Sequence, residues 1–479
     1  MSDDDVVIRP PPPPIQVADT GAAVRDALRF PLSGPSLESI APRGGRATIV
    51  VEPWGLPLPG AHPDPRQEAL AATMRALELS HVRNERQTIL VAGGLGRRSG
   101  QSELERLLPP PEARAFRGNV VVHDAAADEL VPIAGGSRIH PALVETDLVV
   151  VLSAAETIVH GGARTLAAAC DAATVRGAAA ADSLLEAGGS SEWDRALEIE
   201  DVVSRKVPVL GVSLVLDLPR LTGAFKGYPD DADAVARLGR SWSRSAFSRL
   251  PAPLRRDILA TLGRRIAATA AFAGPPSVAH AEALLRGVEL RGTHLEEPLE
   301  TLVVGAPWVG PHAPREPVNA ITAAAVALGL ALRLYRNEFP LQPDGTLVLC
   351  HPLRRSFAAE IQAPYARMFD ALQRARTPSD LAAAEQQAAQ EERALAAYRA
   401  GRACHPLLPY YDWAGCAPVL SRVGRIIVAG CRDAIAARAL GFVPSHSISS
   451  ALEMARGVAS GKARGGILLA PPYAPLLVG

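Results

Sequence analysis

Gln87-Thr88-Ile89-Leu90-Val91-Ala92-Gly93-Gly94-Leu95-Gly96-Arg97-Arg98-Ser99-Gly100 is the stretch that decides the fold class. Its first six residues form a short β-type run, and the glycines that follow punctuate it. A strand, a glycine turn and then a helical pattern make up the first half of a parallel crossover unit. The same order recurs along the chain. Residues 47–52, 119–123, 147–152 and 207–217 read as strands, and 65–79 and 101–108 as helices. The alternation predicts α/β architecture with a largely parallel sheet. Residues 235–273 read as one helical stretch rich in Ala and Arg, broken by Gly274-Pro275-Pro276. Strands then resume at 301–305, 345–350, 425–429 and 466–469. The expected organisation is an N-terminal α/β domain over 21–290 and a C-terminal α/β domain over 291–479. The boundary falls between Gly287 and Glu300, and a helical insertion lies around 365–402. Within that insertion, residues 377–400 read as a solvated helix carrying Glu385, Glu391 and Glu392.

Bulk composition narrows the function. The chain has 479 residues, with 50 basic and 50 acidic side chains balancing to zero formal charge. This gives no electrostatic reason to expect nucleic acid or a membrane surface as a partner. Aromatic residues make up 4%, which also weakens any base-stacking surface. Residues 1–20 join an Asp3-Asp4-Asp5 run to prolines at 10–14 and are expected to be a disordered or extended tail. No signal peptide is read at the start. The most apolar stretch, 320–332, ends at Arg333 and is short of the ~20 residues of a spanning helix. Five cysteines, widely spaced and without C-x-x-C, argue against a disulfide framework or a structural zinc site and suit a reducing cytoplasm. Only three of the 50 basic residues are lysine, namely Lys206, Lys226 and Lys462.

Four loops after predicted strands are candidate sites. In the first, Gly94 and Gly96 offer backbone amides, and Arg97 and Arg98 offer guanidinium forks for a carboxylate or phosphate. The spacing is not G-x-G-x-x-G, and no G-x-x-x-x-G-K-[ST] exists in the chain. The second is His160-Gly161-Gly162-Ala163-Arg164: Gly161 and Gly162 would expose amides, Arg164 would add charge, and His160 is a candidate base. The third is the Gly- and Pro-rich segment 305–319, with Trp308 and Asn319, read either as a functional loop or as a rigid connector. The fourth is His351-Pro352-Leu353-Arg354-Arg355, where Arg354 would face the same cleft or sit on a surface turn. No H-E-x-x-H, G-x-S-x-G or paired histidine at metal spacing is present, so no metal site is read from spacing.

The ordered set of loops resembles the nickel-pincer lactate racemase family. It is carried by Val50-Val51-Glu52-Pro53 with Leu56-Pro57-Leu58-Pro59, by Gly94-Leu95-Gly96-Arg97, and by Asp147 to Val150 followed by Gly161-Gly162-Ala163-Arg164. Further matches are Gly211 to Asp217 with Phe225-Lys226-Gly227, and Arg438 to Pro444 with Ser450-Ala451-Leu452. The resemblance implies two α/β domains with an active site in the cleft between them. It also implies a lysine-tethered nickel-pincer nucleotide and racemisation of small 2-hydroxy acids by hydride transfer, with histidines as acid and base. The family's tether lysine falls at Arg164, its G-x-H-R histidine at Gly96, and two further histidines at Ala154 and Ala180. Its first-loop arginine falls at Leu56, and its Q-x-x-K pair near Asn319 and Thr322. Guanidinium is not an amine nucleophile, so Arg164 cannot form the covalent link. Three readings follow: a 2-hydroxy-acid racemase or epimerase holding its nickel cofactor without a covalent bond, a non-catalytic relative binding an anionic small molecule, or a nickel-independent enzyme on the same scaffold. The oligomeric state is not legible.

Overall fold

The computed structural model describes residues 5–53, 61, 63–177, 180–307, 316–358, 360–375, 378–457 and 464–479. Its fold is α/β, built on two six-stranded sheets. The first runs Ala268–Gly274, Val209–Leu216, Leu148–Ala154, Ala47–Val51, Gln87–Val91, Asn119–Val122. All neighbours in it are parallel except the antiparallel edge strand Ala268–Gly274. The central strands are near-continuous apolar runs, as a sheet covered on both faces requires. Ala47–Val51 is buried at every position.

The second sheet is fully parallel: Val6–Ile8, Gly465–Leu468, Leu299–Gly305, Leu341–Cys350, Arg425–Ala429, Val443–Ser445. A small third sheet joins Thr293–Leu295, Leu476–Val478 and Tyr335–Arg336.

Helix Pro65–Leu79 forms where its sequence says it should. Asp64 accepts from the Arg66 amide at 3.0 Å, Gln67 completes a capping box, and Pro65 stands at the first turn. Three expectations are corrected. Residues 268–273, read as helix, form a strand paired with Val209–Leu216. Alanine's intrinsic preference is helical, but a sheet edge supplies hydrogen bonds that override it. The helices of that region are shorter, at Ala232–Arg240, Trp242–Arg249 and Ala252–Ala260.

The described part of the tail is ordered rather than disordered. Val6–Ile8 pairs with Gly466–Leu468, and Ile8 is buried. The prolines lend carbonyls instead of amides: Arg220 Nη2 donates to Pro11 O at 3.1 Å. The 377–400 helix is two helices, Pro378–Ala389 and Glu392–Arg399, and it is docked rather than solvated. Tyr398 is fully buried and donates to Gly94 O at 3.3 Å, while Glu385 pairs with Arg176. No described helix is long and apolar enough to cross a membrane.

Candidate functional site

In the first sheet the chain runs from Ala47–Val51 outward through Gln87–Val91 and Asn119–Val122, then crosses back to Leu148–Ala154 on the other side of Ala47–Val51. Loops at the carboxyl ends of such strands diverge there and leave a crevice. A cavity of about 260 Å³ occupies this place. Its first wall is made by Glu52, Gly93 to Arg97, His160 and Arg164. Its second wall is made by Thr322 to Arg333 and by Leu408 to Gly415. The second wall begins as α-helix Ala320–Ala324, widens to a π-helical turn over Ala325–Leu330, and tightens to a 3₁₀ turn over Ala331–Arg333. Such breaks gather at functional sites because they redirect side chains within one helix.

Four glycine amides of these loops are engaged within the chain. Gly161 N donates to Glu52 Oε1 at 3.1 Å and Gly162 N to Ser153 Oγ at 3.0 Å. Gly94 N donates to Ala168 O and Gly96 N to Gly93 O. Gly94 and Gly96 do line the cavity. Gly161 and Gly162 instead serve packing: both have positive φ, and a Cβ on Gly162 would lie 2.5 Å from His280 Cβ.

The arginines divide. Arg97 lines the cavity with its guanidinium on Glu103 and Arg98 O. Arg98 is turned away, toward Arg399 O at 2.6 Å, Val122 O at 3.2 Å and Asp124. Arg164 is buried in the cavity wall. Burial alone would lower its pKa, but Tyr411, Glu192 and Glu52 beside it more than offset this and raise it. Arg354 is exposed and lies outside the cavity. Asn319 is a structural cap, accepting from Thr322 N at 3.0 Å. His160 lines the cavity, with Nδ1 3.0 Å from Thr157 Oγ1. Trp308 and Leu56 lie outside the described residues.

Five wall residues were not read from the sequence as a site. Glu52 follows a strand, and burial raises its carboxyl pKa against the Gly161 bond and the charge of Arg164. Glu192 accepts the Tyr411 hydroxyl at 2.8 Å. Asp412 accepts the Tyr365 hydroxyl at 2.6 Å, and desolvation pushes its carboxyl up to about 7. Arg333 is 4% exposed; its Nη1 donates to Gly329 O at 3.2 Å and Gly415 O at 3.1 Å. Two signals pointed here: a lone arginine closing a long apolar run, and Tyr410-Tyr411-Asp412-Trp413 in an aromatic-poor chain.

Residues 2–162 match the family profile described as the lactate racemase N-terminal domain. Over that span the chain is similar to lactate racemase N-terminal domains. The chain superposes on the lactate racemase apoprotein from Thermoanaerobacterium thermosaccharolyticum with TM-score 0.61 and 13% identity, covering 99% of this chain and 96% of that one. A protein from Thermotoga maritima superposes with TM-score 0.51 and 9% identity, covering 97% and 100%. At these identities the likeness is one of fold. No curated protein sequence matches the chain.

Proposed function

We propose that this lactate racemase-like protein uses its cleft to bind a small anionic molecule without a lysine-tethered nickel cofactor. The observation that carries the reading is Arg164, buried in the cavity wall at the position the resemblance gives to the tether lysine. Arg97 and Arg333 line the same cavity, and no lysine lines it among the described residues. The donor set does not fit a pincer-bound nickel either. His160 is the one imidazole among the cavity residues, and no cluster of three His, Cys, Asp or Glu suited to a metal occurs among the described residues. The cavity's size suits a small ligand.

A nickel-independent enzyme on this scaffold is the second reading, favoured by Asp412. A carboxyl near half-protonation at neutral pH, in a cavity wall and bonded to Tyr365, has the character of a general acid or base. Thermal-shift titration with acetate, glycolate, lactate and phosphate tests the shared premise. A ligand at 100 times its Kd stabilises the native state by about 2.7 kcal/mol. A rise in Tm that is lost in Arg97→Ala/Arg164→Ala supports the reading, and no rise with any of the four overturns it.

A further inference from the structure

We propose that Arg333 is the carboxylate anchor of this cleft, gripping the ligand through its Nε–Nη2 edge. This rests on the anion-binding reading and deepens it to a ligand group. The guanidinium is fixed by one nitrogen only: Nη1 holds the Gly329 and Gly415 carbonyls. Nε and Nη2 are buried and have no hydrogen-bond partner among the described residues. In a guanidinium those two N–H bonds lie parallel on one edge and match the two oxygens of a carboxylate. A buried donor pair left unmade is costly, so an arrangement that keeps one points to a missing acceptor.

The other cavity cations differ. Arg97 is engaged by Glu103 and the Arg98 carbonyl; Arg164 leaves only Nε without a partner among the described residues and sits among Glu52, Glu192 and Tyr411. Glu192 is the carboxylate that acts on Arg333, and it already accepts from Tyr411. Asp412, the remaining wall carboxyl on that side, is pushed up to about 7 and so is only partly ionised at neutral pH. Burial lowers the pKa of Arg333, the direction expected of a cation short of counter-charge. The sharp return of the chain through π and 3₁₀ turns is what carries this side chain to the wall.

The test is calorimetric titration of the full chain with glycolate and lactate, with methyl lactate as the uncharged control. Arg333→Lys keeps the charge but loses the parallel pair, and is expected to weaken carboxylate binding about 10- to 100-fold. Methyl lactate is expected not to bind. A crystal of the unaltered protein grown with lactate is expected to place both carboxylate oxygens on Nε and Nη2, which keeps the proposal testable even where the variant does not fold. Carboxylate binding that is unchanged in Arg333→Lys, or a carboxylate seated elsewhere in the cavity, overturns this anchor and leaves the anion-binding reading intact. No binding of either acid to the unaltered protein overturns both.

Discussion

The Tyr411 hydroxyl donates to Glu192 Oε1 at 2.8 Å, joining the two walls of the cavity between residues 219 positions apart. Glu192 opens the helix Ser191–Ser204, and Tyr411 lies in Leu408–Ala414. Arg164 lies against the same hydroxyl. Tyr411→Phe keeps the ring and removes that donor, leaving a buried carboxylate short of a partner. We expect a loss of about 1–3 kcal/mol in urea unfolding. Unchanged stability would count against the cross-cavity bond.

Arg291 and Glu156 form a buried ion pair, 1% and 5% exposed. Arg291 also donates Nε to Gly287 O and Nη2 to Ala155 O, each at 3.1 Å. Arg291→Met strands a buried carboxylate, and we expect about 3–5 kcal/mol of destabilisation. Adding Glu156→Gln is expected to restore part of it. A double variant no better than the single would show that Arg291 acts through its carbonyl bonds instead.

Gly162 has φ of 55°, and its missing side chain makes room for His280. Gly162→Ala therefore meets both backbone strain and a clash with a fully buried ring, at a cost of about 1–3 kcal/mol. Differential scanning calorimetry checks this: a Tm within experimental error of the unaltered protein contradicts it.

Burial depresses four histidines, His123, His280, His351 and His405, each to about 4. Unfolded, they bind protons near the ordinary value of 6.5, so acid favours the unfolded state first. Stability is expected to fall as pH drops from about 6.5 toward 4. Denaturant midpoints that stay level across that window would show that these rings charge freely in the folded protein.

Asp412 has the opposite sign. Its folded pKa is raised to about 7 from 3.8, so its contribution is present below 3.8 and is lost as pH climbs through about 7. Asp412→Asn does not titrate. Its stability relative to the unaltered protein is expected to improve steadily between pH 4 and pH 8, and a constant difference would place the carboxyl in water.

Much of the fold was legible because buried parallel strands spell themselves out. The strands that begin at Ala47, Gln87, Leu148 and Val209 are long apolar runs. Residues 268–274 were not, because alanine carries no β-branch to signal a strand whose existence depends on a neighbour. Val6–Ile8 was hidden for a different reason: three β-branched residues beside an acidic run and prolines acquire a structure only from Gly466–Leu468. For the site, the loops with Arg97, His160 and Arg164 were legible as turns after strands, but the partners of the Gly161 and Gly162 amides, Glu52 and Ser153, were not. Arg333 and Tyr411 lie at least 169 positions beyond Arg164, so only the folded chain brings them to one cavity.

The most direct measurement of the central claim is intact mass and bound nickel after co-expression with cofactor-making enzymes. With Arg164 in place of a lysine amine, the account expects the mass of the unmodified chain and nickel far below one ion per chain. A covalent mass increase, or stoichiometric nickel, would contradict it.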